Sequence, residues 1–211
     1  MTPQALSFNA PGDAEELARA ELYGLLARLW WAPPDEALMA QFRVAVTQAP
    51  QPGGFLEHPW ERLVAAGRAS TVDSASAAFE ALFGGVGKPE VLLYGSHHLA
   101  GFLNEQPLAD LRADLARLGL ARDPQRGETE DHLSFVFEVM RYLIAGDDVA
   151  VCNLTQQQAF FRRHVQTWVE RCGEAVASHP LAQDSAGFYA ALAALTTAFM
   201  QVETQAFDLI D

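Results

Sequence analysis

Residues 127–141 read GETEDHLSFVFEVMR, and they decide the fold class. From Leu133 onward the apolar residues Leu133, Val136, Phe137, Met140, Leu143 and Ile144 recur at helical spacing. A second stripe, Phe135, Val139 and Tyr142, flanks the first. Ser134, Glu138 and Arg141 alone are left for water or a polar partner. A helix apolar on nearly all sides belongs at the centre of its domain. Thr129 is placed to cap it. Glu130, Asp131 and His132 would then fill the first turn, where unpaired N–H groups and the helix dipole favour negative charge. The stretch therefore predicts a polar mouth on an apolar rod.

The rest of the chain repeats the helical period. Asp13, with Glu16, predicts a capped first helix whose buried face is Leu22, Leu25, Leu26, Leu29 and Trp30, ended by Pro33-Pro34. Asp35 caps a second helix with Leu38, Phe42 and Ala45 inward. Thr47–Glu57 reads as a loop, Pro59 suits the first turn of a third helix, and a fourth runs from about Thr71 to Phe83. Residues 84–98 are rich in glycine yet hold Val91, Leu92, Leu93 and Tyr94, so they must pack on the core or meet a partner. A short helix around 96–103 precedes Pro107–Leu118, which Gly119 stops. Gly146 ends the central helix. Thr155 caps a further one carrying Phe161, Val165, Trp168 and Cys172, and the last begins near Asp184 or Ser185. Val91–Tyr94 is too short to build a sheet. The expectation is one all-α domain over residues 1–211, a compact bundle of unequal helices with a flexible arm at 1–12.

Bulk properties exclude several functions. The chain has 211 residues with 14 basic against 27 acidic, a net charge of −13. Nucleic acid and anionic membrane surfaces both demand a cationic face. The two cysteines, Cys152 and Cys172, form no metal-ligand pair and suit a reducing compartment. No basic-then-apolar leader opens the chain and no segment is long enough to span a membrane, so cytoplasmic residence is expected.

Motifs for hydrolysis, phosphate binding and dinucleotide binding are missing from the sequence. No catalytic residue and no cofactor is expected. Two site readings stay open. His97, His98, Glu128 and His132 could ligate a metal, although their spacing lacks the paired Glu-x-x-His of helical di-iron proteins. Alternatively Phe79, Leu82, Phe83, Tyr94 and Ser96, with Asp131 and His132, could hold a peptide that is both apolar and cationic. On periodicity alone, ordinary core aromatics and solvated acids account for the same residues.

FEALFGGVGKPEVLLYGSHH at 79–98, followed at its usual spacing by GETEDHLSFVFEVMRYL at 127–143, resembles the TorD/DmsD family of redox-enzyme maturation chaperones. The likeness rests on Phe79, Leu82 and Phe83, on Gly84–Pro89, on Tyr94 and Ser96, and on Glu128, Asp131, His132, Glu138 and Met140. Thr129 stands where the family usually has proline, and Phe79 where tryptophan is typical. The resemblance implies an all-helical cytoplasmic chaperone, not an enzyme. It would bind the apoprotein of a molybdenum-cofactor oxidoreductase at its twin-arginine signal peptide and delay export until the cofactor is in place. It also implies weak guanine-nucleotide binding in some members, and a monomer or a domain-swapped dimer. Under this reading Phe79, Leu82, Phe83, Tyr94, Ser96, Glu128, Asp131 and His132 form the client site, an acid pairing with a leader arginine.

Overall fold

The computed structural model describes residues 11–47, 54–84, 88–123, 125 and 127–209. Among these, ten α-helices and no strand are present: α1 Pro11–Trp31, α2 Glu36–Val44, α3 Glu57–Ala69, α4 Val72–Phe83, α5 Gly95–Ala100, α6 Gln106–Arg117, α7 Leu133–Ala145, α8 Leu154–Phe160, α9 Val169–Ser178 and α10 Phe188–Asp208. The all-α expectation holds. Most of the predicted arm lies outside the described residues, but Pro11 and Gly12 already belong to α1, which starts before the cap expected at Asp13.

α1 packs along α7 and reaches α10. Its Tyr23 ring meets Phe137 of α7 at 5.6 Å and Phe199 of α10 at 4.8 Å. Trp30 Nε1 donates to Thr196 Oγ1 of α10 at 3.0 Å, and Ser134 Oγ of α7 donates to the Ala27 carbonyl at 2.7 Å. Ser134, left by the periodicity for water or a polar partner, has that partner in α1 and is a buried strut between α1 and α7. Gly24 of α1 lies under the stem of Arg141 of α7, where a Cβ would stand 2.8 Å from Arg141 Cδ. The second stripe of α7 differs from the first: Phe135 and Val139 are half-buried and Tyr142 is 38 % exposed.

α10 packs against α9, α3 and α4, and α2 covers α3. Arg19 of α1 and the buried Glu203 of α10 form a two-pronged ion pair at 2.8 Å, joined by the Tyr23 hydroxyl at 3.0 Å. Burial disfavours the Tyr23 phenolate, and the Glu203 charge beside it reinforces that, so the hydroxyl stays protonated.

Local chemistry accounts for the element ends. Asp35 caps α2 through Leu38 N at 2.8 Å, and Thr71 with Ser74 makes a reciprocal capping box on α4. Asn153, not Thr155, caps α8. The helix expected to run on through Trp168 is interrupted: Phe161–Val165 is a π-helical turn and α9 begins at Val169. His164 is buried in that turn, its Nε2 2.6 Å from Asp114 Oδ2 of α6. α10 starts at Phe188, after a turn in which Ala186 and Gly187 take φ values of 58° and 71°. The apolar loop does pack on the core, with Val91 and Leu93 buried and Val91 N donating to the Leu82 carbonyl at 3.1 Å.

Candidate functional site

Two connections far apart in sequence meet at the start of α7. Leu93–Ser96 leads into α5, and Glu128–His132 leads into α7. They pair as a single antiparallel bridge between Tyr94 and His132. Leu133 N donates to the Leu93 carbonyl at 2.8 Å, and Gly95 N to the Asp131 carbonyl at 2.9 Å. A purely helical reading has no place for such a bridge. It follows from burial: both backbones lie in the interior and each needs partners for its polar groups.

The expected first turn of α7 is corrected by this arrangement. The cap is His132, whose Nδ1 accepts from Ser134 N at 3.2 Å. Glu130 and Asp131 precede the helix. Asp131 is 3 % exposed, and both its carboxylate oxygens are engaged. Oδ2 accepts from Ser96 N at 2.8 Å and Oδ1 from Thr129 Oγ1 at 2.6 Å. Asp131 therefore ties the start of α5 to the turn before α7, and Thr129 acts as a hydrogen-bond partner of that turn in place of a rigid proline. Gly95 sits beneath Trp168, where a Cβ would come within 3.2 Å of the ring.

Electrostatics fit a joint built for rigidity. Burial pulls His132 from an ordinary 6.5 down to about 4, against the raising fields of Glu128 and Asp131, so the ring is neutral at physiological pH. Tyr94 donates a hydrogen bond to Glu128, and burial together with that carboxylate holds the phenol proton firmly. Partial burial works against the Glu130 charge, but hydrogen bonding from Arg112 overrides it and keeps that carboxyl below its ordinary value. Arg112 lies 2.8 Å and Arg122 3.7 Å from Glu130.

The predicted site residues fall in two groups. Tyr94, Ser96, Glu128, Asp131 and His132 come together at the joint, with Tyr94 and Glu128 half-buried at its surface and the other three buried. Phe79, Leu82 and Phe83 lie at the end of α4. Leu82 is fully buried, while half-buried Phe79 and Phe83 pack on Tyr189 at 5.8 and 5.5 Å. Trp30 touches Phe83, whereas the next residue, Trp31, touches His132 at 5.7 Å. Consecutive helical residues point about 100° apart, so α1 stands between the two groups.

The metal reading fails on geometry. Among the described residues no group of three or more His, Cys, Asp or Glu side chains could hold an ion. His98 Nε2 lies 2.7 Å from the Leu92 carbonyl, His132 Nδ1 serves the α7 cap, and Glu128 is bonded to Tyr94. His98, Glu128 and His132 are thus directed to separate partners, and the His97 ring lies edge-on to that of His98 at 5.3 Å. Cys172 is buried and its thiol is pushed up to about 12 by that burial, which leaves it unreactive.

One feature escaped the motif reading. A groove of about 620 Å³ runs along the outer side of the α1–α7 pair, between it and the α6–α7 connection. Trp31, Leu115, Leu120, Phe135, Val139 and Tyr142 give it an apolar lining, and Trp31 stacks on Phe135 at 5.3 Å. The signal for it in the sequence was the second stripe of α7, Phe135, Val139 and Tyr142, which lines this groove. No helix among the described residues is long and apolar enough to cross a membrane.

A family model described as nitrate reductase delta subunit matches residues 51–174, a span that holds α3 to α8 and the whole joint. No curated protein matches the chain. The joint of Tyr94, Asp131 and His132 thus lies inside the matched span, and the chain belongs to the nitrate reductase delta subunit family, the TorD/NarJ-like chaperones of molybdoenzyme maturation.

Proposed function

We propose that this protein is a cytoplasmic chaperone that holds the apoprotein of a molybdenum-cofactor oxidoreductase, at its twin-arginine signal peptide, and assists cofactor insertion before export. The observation that carries the reading is the joint itself. Tyr94, Ser96, Glu128, Asp131 and His132, the residues of the family-like motif, converge there although 38 positions separate the first from the last. They hydrogen-bond to one another and to backbone, which is the arrangement of a fixed recognition surface. In this reading half-buried Phe79, Phe83, Tyr94 and Glu128 touch the client, and buried Leu82, Ser96, Asp131 and His132 position them. The molybdenum cofactor belongs to the client.

The experiment is affinity capture from native cytoplasm, together with deletion of the gene. The expected catch is the cofactor-free catalytic subunit of a molybdoenzyme, and the deletion strain should accumulate that enzyme without molybdenum. Unchanged molybdenum content and activity of every molybdoenzyme in the deletion strain would refute the reading.

A further inference from the structure

Trp168 is buried under the start of α5. Its ring stacks on His98 at 5.6 Å, with the two planes 19° apart, and a Cβ on Gly95 would meet it at 3.2 Å. His98 Nε2 in turn lies 2.7 Å from the Leu92 carbonyl. Tyr94 falls between these fixed points, Leu92 and Gly95, and its backbone is bridged to His132. The indole therefore supports the short run of backbone that presents the Tyr94 hydroxyl to Glu128.

The π-turn before it sets where that ring points. Gln166 N donates to the Phe161 carbonyl at 2.9 Å, a bond across five residues that gives the turn one residue more than an α-helix holds. Without the extra residue everything beyond it would rotate by about 100° around the helix axis, and Trp168 would face away from α5. Asp114 of α6 pins the turn, its Oδ2 lying 2.6 Å from His164 Nε2 and 3.0 Å from Arg163 Nη1. The His164 carbonyl accepts from Trp168 Nε1 at 2.7 Å, so the turn fixes the indole directly. Turns of this kind give up regular helix hydrogen bonding and recur at functional sites.

We propose that Trp168 is a positioning residue for client recognition: seated under α5 by the π-turn, it sets the Gly95–Ser96 backbone and through it the Tyr94 side chain that meets the client. The proposal rests on the chaperone reading above and extends the joint to a residue outside its motif. Trp168 is only 2 % exposed, so it acts through Tyr94 and does not touch the client. A cavity of about 240 Å³ borders it, together with Gly95, Asp131 and Val136. A smaller side chain at 168 would enlarge that void at the joint and leave α5 without its seat.

Fluorotyrosine incorporated into the full-length protein gives one fluorine resonance for each of the four tyrosines, and Tyr94→Phe identifies that of residue 94. Gly95→Ala and Trp168→Phe should each shift it. Gly95→Ala placed in the Trp168→Phe background should add little further shift, because a phenyl ring lacks the indole atoms that the new Cβ crowds. The recognition arm is a fluorescein-labelled synthetic peptide with two adjacent arginines followed by an apolar stretch, titrated with the same proteins and read by anisotropy. Gly95→Ala should weaken binding by about tenfold and Trp168→Phe by about threefold, and the double variant should bind no worse than Gly95→Ala alone. Urea midpoints of the same variants report folding separately. A purely structural Trp168 would lower the midpoints and leave the Tyr94 resonance and the affinity of the folded protein as in wild type, and that result overturns the proposal. Losses of affinity that multiply in the double variant also overturn it. If wild type binds no peptide, the leader-binding part of the chaperone reading fails, and the Tyr94 resonance still decides whether Trp168 positions that side chain.

Discussion

His132 shows how a motif residue can serve the fold before it serves recognition. Its ring is buried, caps α7 through Nδ1, and lies edge-on to Tyr94 at 5.1 Å. An unfolded histidine titrates near 6.5, whereas this one titrates near 4. Between those values the unfolded chain binds a proton that the folded chain refuses. The stabilisation is therefore complete above about pH 6.5, falls as pH drops through that window, and is lost below about 4. For a shift of this size it amounts to about 3 kcal/mol. His164, also held near 4 by burial and next by the Arg163 charge, acts in the same direction and window. His132→Asn keeps an acceptor for Ser134 N and removes the titration. Urea midpoints measured from pH 7 to pH 4 should fall less steeply for the variant than for wild type. An unchanged slope would mean that His132 is not a neutral buried cap.

At the scale of elements, two glycines report how tightly helices meet. Gly24 lies inside α1 under the stem of Arg141, and that stem is the only neighbour a Cβ would crowd. Gly24→Ala should raise stability, by up to about 1 kcal/mol, because alanine is the better helix former and the flexible arginine can move aside. Gly95 opens α5 against the Trp168 ring, which is buried and bonded through Nε1 to the His164 carbonyl at 2.7 Å. Gly95→Ala should destabilise by about 1–3 kcal/mol, since a packed indole cannot yield as an arginine stem can. Chemical denaturation of the two variants should give opposite signs. The same contrast explains why element ends were only partly legible. Asp35 and Thr71 cap through residues two or three positions away, so the sequence displays both partners. The cap at His132, the π-turn at Phe161–Val165 and the Tyr94–His132 bridge depend on what packs against them from elsewhere in the chain.

Across the whole molecule, the Arg19–Glu203 pair joins the first helix to the last. Glu203 is 1 % exposed and holds Arg19 and the Tyr23 hydroxyl together, while Gln157 of α8 lies 3.3 Å from Arg19 Nη1. Removing one partner strands the other in a partly dry site. Glu203→Ala should cost about 3 kcal/mol, and Arg19→Met combined with Glu203→Leu should recover much of the loss. A two-state urea transition for each variant measures both values. A loss no larger than that of an exposed pair would show that the network does not clamp α1 to α10.

The helical class, the apolar face of each helix and the absence of hydrolytic and nucleotide-binding motifs were determined by residue order alone. Periodicity is a local property, and a helix buries whichever stripe is apolar. The motif residues of the joint were visible for the same reason, since their spacing along the chain is carried by the letters. What only the tertiary structure decided is the use of those residues. Asp131 could be read as a free carboxylate until Ser96 N and Thr129 Oγ1 were found on its two oxygens. The second stripe of α7 could be read as core until Phe135, Val139 and Tyr142 were found lining an open groove. A hydrogen-bond partner or a missing neighbour is a fact about distance in space. Segments far apart in sequence supply both, so no window along the chain contains them.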